Sequence, residues 1–350
     1  MAYTLAQYRV LWYKYIIVKF NRTVFLLALI LLTAPLFAQR SVTIKMASVV
    51  PENTPWGQFL NRIAAEWKRI TNGEVDVIVY HGTAGKEVDI VQKLNVGQLQ
   101  AGVLSTFGLT EIAPEVMTLS CPLFIRNDDE LDLVLDDVKT ELEDRINSKG
   151  FYTLAWSRVG WIKLFSKAPI FTPNDLKRQK LGTNVDYDKL NQIFKSMGFQ
   201  MVPAAQDDLL IAMNSPMVDA IYQSPIAVGG AQLFGVAKNM ASLNLAPFMG
   251  AIILNKRAWN SIPEKYKPRL IEAAKKEERE LDKIVRRFEV DMIKTMGTYG
   301  LTVNQLTPAQ EQIWYDDAEK VMPNMMSTFS DKNLFTRIQN LLNEHRAGRR

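Results

Sequence analysis

Side chains able to shuttle protons or attack a carbonyl are scarce in this chain. It has two histidines, His81 and His345, and one cysteine, Cys121. His81 follows an alternating apolar stretch and precedes Gly82, the setting of a turn residue with a solvated ring rather than of a general base. His345 falls in a polar C-terminal tail. There is no Gly-x-Ser-x-Gly elbow and no Gly-x-Gly-x-x-Gly fingerprint, and Gly85-Lys86 lacks the first glycine of a phosphate-binding loop. Histidine and cysteine are too few for a zinc cluster. The acidic pairs Asp128-Asp129, Asp136-Asp137 and Asp207-Asp208 adjoin helical patterns, where carboxylates serve as caps and solvated faces. These absences argue against an enzyme and imply no metal and no cofactor.

What remains suits the capture of a small molecule. Aromatic, amide and hydroxyl groups gather in five short segments: 49–56 with Trp56, 105–108 with Ser105, Thr106 and Phe107, 157–161 with Arg158 and Trp161, 183–187 with Asn184 and Tyr187, and 222–225 with Tyr222 and Gln223. The elements flanking these segments explain why they matter. Strand patterns over 42–47, 74–80 and 101–106 alternate with helical patterns over 55–70 and 86–96, a β-α-β-α-β run. A second run of the same order follows, with strands expected over 180–183, 199–202 and 217–222 and helices over 187–197 and 206–213. In open α/β sheets ligands sit beyond the carboxyl ends of the strands, so two such lobes facing one another enclose a cleft. The five segments are the loops at those ends.

Crossing strands are expected over 151–156 and 246–254. A long amphipathic helix is expected over about 263–299, with further helices over 308–321 and 334–344. At 1.5 Å per residue the long helix reaches roughly 50 Å and spans both lobes.

Residues 1–38 read as a secretory leader: Arg9, Lys14, Lys19 and Arg22, then the apolar run 24–32, then small residues up to Ala38. Cleavage after Ala38 is the expectation and an uncleaved anchor the alternative, although Lys14 and Lys19 interrupt any bilayer-length span. The leader carries four of the 42 basic side chains and none of the 37 acidic ones, so the formal charge of +5 becomes +1 without it. No concentrated basic face remains, which excludes nucleic acid as a partner. Cys121 has no internal disulfide partner, and stability outside the cytoplasm must come from packing.

The stretch 82–126 contains Gly85-Lys86-Glu87-Val88-Asp89, Lys93-Leu94, Gly97-Gln98-Leu99-Gln100-Ala101, Gly108-Leu109, Pro114-Glu115-Val116 and Pro122-Leu123-Phe124. With Thr71-Asn72-Gly73, Pro173-Asn174-Asp175-Leu176-Lys177, Lys180-Leu181, Val218-Asp219-Ala220 and Pro225, it resembles the extracytoplasmic solute-binding subunit of tripartite ATP-independent periplasmic (TRAP) transporters, the DctP-type family. The resemblance spans nearly all of the chain after the leader. It implies an α/β, two-lobed periplasmic-binding-protein type II (Venus flytrap) fold with a long helix spanning both lobes. It also implies a periplasmic receptor that catalyses nothing and hands a small-molecule solute to a membrane permease of small and large subunits, some related systems adding an auxiliary helical-repeat protein. The lobes are expected over 39–157 plus 247–280 and over 158–246 plus 281–330, with a C-terminal helix and basic tail over 331–350.

One departure bears on the ligand. Family members that bind carboxylates place an arginine two residues after the lysine of the Lys-Leu strand, and often a second in a Gly-aromatic-Arg segment. Here those positions are Gly182 and Ile162. Arg158 or Lys163 is a substitute by position, but such a residue is more often a surface or inter-lobe ion-pair residue. The expected ligand is therefore hydrophobic or amphipathic, walled by Trp161 and Tyr222, oriented by Asn184 and Gln223, and met from the first lobe by Ser105 or Thr106. Lobe core is the competing reading for each aromatic, above all for Trp56 and Trp156. A scaffold that acts by docking an auxiliary periplasmic partner is the alternative function.

Overall fold

The computed structural model describes residues 41–184, 188–328 and 331–348. The expected leader and the candidate Tyr187 lie outside the described residues.

The first β-α-β-α-β run forms as read. It comprises β1 (Val42–Ser48), α1 (Pro55–Ile70), β2 (Val75–His81), α2 (Glu87–Asn95) and β3 (Ala101–Ser105). Thr54 caps α1 by accepting the Gly57 N–H at 3.2 Å, with Pro55 at the first helical position. Phe59, Leu60, Ile63 and Trp67 bury one face of α1, and Asn72 (φ 50°) and Gly73 (φ 82°) turn the chain out in the left-handed region. A short helix, α3 (Thr106–Thr110), and a 3₁₀ turn (Pro114–Ser120) lead to α4 (Asp128–Ser148). The sequence marks a helical pattern beside Asp128-Asp129 and Asp136-Asp137 without bounds, and the helix runs over all of 128–148. Its buried stripe is Leu131, Val134, Val138, Leu142 and Ile146, and three acidic residues in its first turn face the positive end of the helix dipole.

Next comes β4 (Phe151–Ser166), a 16-residue strand where a shorter strand and a loop over 157–161 were expected. Its register shifts twice against its antiparallel neighbour, between Thr153 and Ala155 and between Arg158 and Gly160. A bulge of this kind breaks the period-two pattern on which a strand is recognised. The second run is α5 (Pro173–Lys177), β5 (Lys180–Thr183), α6 (Asp188–Ser196), β6 (Gln200–Pro203), α7 (Leu209–Asn214) and β7 (Ala220–Gln223). After it come α8 (Pro225–Gly230), β8 (Asn239–Ala241), β9 (Ala246–Asn255), α9 (Lys256–Ser261), α10 (Lys267–Thr298), β10 (Thr302–Asn304), α11 (Pro308–Thr328) and α12 (Lys332–Arg346).

The strand order shows two related halves. In one, β2-β1-β3 are parallel and β9 runs antiparallel beside β3, with β4 next to it; in the other, β6-β5-β7 are parallel and β4 runs antiparallel beside β7. Each half is the same doubly wound unit, with its first strand central and one strand contributed by the crossing. Residues 151–162 of β4 pair with β9, and residues 163–166 with β7, so a single strand belongs to both sheets.

Helix α10 ties the halves together. It has 32 residues, about 48 Å at 1.5 Å per residue. Near its start the Leu270 carbonyl accepts the Trp67 indole N–H at 3.2 Å, and Leu270, Ala274, Leu281 and Val285 join the apolar core around α1. Near its end Met296 joins a separate core with Phe165, Val228 and Met240. Helix α12 returns to the first half: Phe335 stacks on Phe124 with centroids 4.4 Å apart, and Arg337 pairs with Asp137 and Glu141. His345 sits in the last turn of α12 rather than in an unstructured tail.

Candidate functional site

The parallel strands bring two sets of carboxyl ends into play: Ser48, His81 and Ser105 from β1–β3, and Thr183, Pro203 and Gln223 from β5–β7. The sequence-predicted residues divide into three groups around them.

Arg158 and Trp161 belong to the crossing strand and are held by α4 and α10. The Arg158 guanidinium pairs with Asp128 at 3.2 Å, with Asp282 at 3.0 Å and with Asp132. Arg286 pairs with Asp128 and Asp282 from the other side. Three carboxylates around one guanidinium leave it no free fork for a ligand acid. Trp161 donates its indole N–H to Asp128 at 3.1 Å and its backbone N–H to Glu289 at 3.2 Å, and is 8% exposed. Both residues fasten the crossing strand: Arg158 is an ion-pair residue, and Trp161, expected as a ligand wall, is held by α4 and α10. Gly160 makes this possible: its φ is +121°, and a Cβ there would stand 2.3 Å from the Glu289 carboxylate.

Gly182 and Ile162, the positions of the missing arginines, are packed. A Cβ on Gly182 would lie 2.8 Å from Val218 Cγ1, and Ile162 is buried opposite Ala246. Lys163, the other cation on the crossing, is buried and donates to the Ser242 carbonyl at 2.9 Å and to Asn244 Oδ1 at 2.8 Å. Burial pulls its ammonium down to about 8, against the pull of Glu289 in the other direction.

The third group stands at the strand ends. The Ser105 N–H and hydroxyl both donate to the Glu87 carboxylate at 2.7 Å, and the Gly108 N–H also bonds it. An internal carboxylate thus occupies the N-terminus of α3, and burial raises its pKa against those bonds. Thr106 is fully buried and donates to the Met249 carbonyl at 3.2 Å, a role in packing. Phe107, half-buried, meets Phe248 of β9 at 6.0 Å. In the other half the Asn184 carbonyl accepts Asn191 Nδ2 at 2.9 Å, Tyr222 packs on Phe194 at 4.9 Å, and Gln223 donates to Gln206 at 2.7 Å. Tyr222 is 8% exposed, so its ring is largely lobe core, and Trp56 at 7% lies in the α1 core.

Among the described residues Trp56 Nε1, His81 Nδ1 and Asn191 Oδ1, on elements at or following these strand ends, are buried without a hydrogen-bond partner. His81 Nε2 contacts Asn61 Oδ1 at 3.1 Å, so its ring is fixed rather than solvated. Burial raises the pKa of the Tyr222 phenol, against a backbone hydrogen bond from Asn184. Buried polar groups are normally satisfied, so each of these unpartnered atoms has room for a partner from outside the chain. Sequence reasoning missed His81, Asn191, Glu87 and Phe248. Only the position of His81 at a strand end could have signalled its part.

Among the described residues no group of three or more histidine, cysteine or acidic side chains is arranged to hold a metal, and no helix is long and apolar enough to cross a membrane.

Two doubly wound halves, a strand shared between them and a long bridging helix define a two-lobed solute-binding protein. The chain belongs to the bacterial extracellular solute-binding proteins of family 7, whose model matches residues 46–328, and it is a solute-binding, non-enzymatic subunit of a TRAP transporter. It is similar to a solute-binding protein of Verminephrobacter eiseniae, 25% identical over 77% of this chain and 80% of that one. It is also similar to the C4-dicarboxylate-binding periplasmic protein of Rhodobacter capsulatus, 23% identical over 81% and 86%. Among solved structures, a TRAP periplasmic solute binding protein of Sulfurospirillum deleyianum with bound succinate matches with a TM-score of 0.75 and 25% identity, covering 85% of this chain and 98% of that one. Members of this family bind small solutes and work with membrane permease subunits.

Proposed function

We propose that this chain is a periplasmic receptor, exported by the leader over 1–38, whose cleft takes a hydrophobic or amphipathic solute rather than a simple dicarboxylate. The lobes divide within the crossing strands, over 39–157 plus 247–280 and 158–246 plus 281–330. The observation that carries the ligand class is the packing of Gly182 against Val218, which leaves no room for the guanidinium that would grip a carboxylate. Three further features support it. Arg158 is consumed by Asp128, Asp132 and Asp282; Glu87 fills the anion position at the start of α3; and the unpartnered groups at or after the strand ends are an indole, an imidazole and an amide. Neutral hydrogen-bonding groups among aromatic side chains suit an apolar solute with one or two polar functions. Calorimetric titration of the purified protein with succinate, malate and a hexuronate tests the reading: none should bind more tightly than about 1 mM, some −4 kcal/mol. Micromolar binding of any of them would refute it.

A further inference from the structure

A cavity lies away from the strand ends, between residues 123–126 and the helices α11 and α12. It measures about 50 Å³ and is lined by Arg126, Tyr315, Glu319 and Arg346, among others. The two arginines are in different states. Arg346 is spent: its Nε and Nη2 each reach a Glu130 oxygen at 2.8 Å, and Nη2 also reaches the Phe124 carbonyl at 2.7 Å. Arg126 makes no side-chain hydrogen bond or ion pair among the described residues, and its Nε is buried without a partner. Its guanidinium lies over the Tyr315 ring, with Cζ 3.7 Å from the centroid.

The Arg126 backbone is pinned on both sides. Its N–H donates to Glu130 at 2.8 Å, and its carbonyl accepts Asn244 Nδ2 at 3.1 Å. Leu123, three residues before it, holds φ +61° while donating to the Leu245 carbonyl, an uncommon conformation at the cavity wall. Stacking fixes the plane of the guanidinium and leaves its edge, with the parallel N–H donors, unengaged. Glu130 is paired with Arg346, and it and the exposed Glu319 act on Arg126 only at longer range, so the edge of the Arg126 guanidinium has no hydrogen-bonded acid in a recess of a few heavy atoms' volume.

We propose that this recess binds a small oxyanion, of carboxylate or phosphate size, on the free fork of Arg126, at a site separate from the inter-lobe cleft. The bound ion would link the segment after the 3₁₀ turn to the C-terminal pair α11 and α12 and add to their hold on the first lobe.

The test is thermal unfolding of the full protein in sodium phosphate and, separately, sodium acetate, each titrated to 50 mM at ionic strength held constant with sodium chloride. Wild type should show a saturable rise in Tm with a millimolar midpoint, and the larger rise identifies the better-fitting oxyanion. Arg126→Gln should lose the rise, Arg126→Lys should weaken the midpoint about tenfold by keeping the charge without the fork, and Arg279→Gln on the exposed face of α10 should leave it unchanged. Equal rises in all four proteins, or no saturable rise in wild type, would overturn the proposal. Should the Arg126 variants fail to fold, the Arg Nε–H resonances of wild type decide it: one should move with added phosphate or acetate, and none moving would again overturn it.

Discussion

Gly182 and Val218 are the residues on which the ligand class turns. Gly182 lies in the middle of β5, its partner Ile221 on one side and Val202 on the other, and Val218 Cγ1 occupies the space a side chain would need. An added methyl must displace the valine, and overpacking of a filled site costs about 1–3 kcal/mol. Gly182→Ala should therefore destabilise the protein by about 2 kcal/mol in urea unfolding, while Gly182→Ala combined with Val218→Ala should cost less than the sum of the two single changes. Additive costs would show that the two residues do not touch. The absence of an arginine was readable in the sequence, because the Lys180-Leu181 motif fixes the position. That its space had been filled was not, because Val218 approaches from 36 residues away through the turn before β7.

At the scale of elements, the crossing strand β4 carries the most consequence. It joins the two sheets, and its side chains are fastened to α4 and α10 through Arg158, Trp161 and Glu289 and to the segment before β9 through Lys163. Lys163→Met should cost about 2 kcal/mol at pH 7, since a charged donor to two buried oxygens is lost. The pH dependence has a definite sign. Folding lowers the Lys163 pKa from 10.5 to about 8, so between those values the unfolded chain holds more protons and stability rises with pH. Lys163→Met should flatten that rise over pH 8–10.5 in denaturant midpoints; an unchanged slope would show that another group produces it.

Much of this level was visible beforehand. The two β-α-β-α-β runs and the long helix declare themselves by periodicity, and the helix found over Lys267–Thr298 falls within the span expected. The structure departs where periodicity fails. The bulge at Arg158 and Gly160 split β4 into a strand and an apparent loop, which put Arg158 and Trp161 among the ligand candidates. The acidic pairs of α4 are legible as helix caps and faces, but that Asp128 and Asp132 are partners of Arg158 is not. Such pairings come from elements distant in sequence and leave no local pattern.

The whole molecule is a pair of lobes with a shared strand and a bridging helix, and the family assignment makes it the solute-capturing part of a transporter. Hinge closure over a ligand is the motion such an architecture supports, and under the proposed reading the unpartnered indole, imidazole and amide at or after the strand ends are the groups that gain from it. The bridging helix bears on the same motion, since Leu281 is fixed in one core and Met296 in another. The measurement that bears most directly on this account is native mass spectrometry of gently purified protein, before and after unfolding and refolding, with the released compound identified. The account predicts an added mass that disappears on refolding and belongs to an apolar or amphipathic solute without paired carboxylates. A released dicarboxylate or uronate would contradict it.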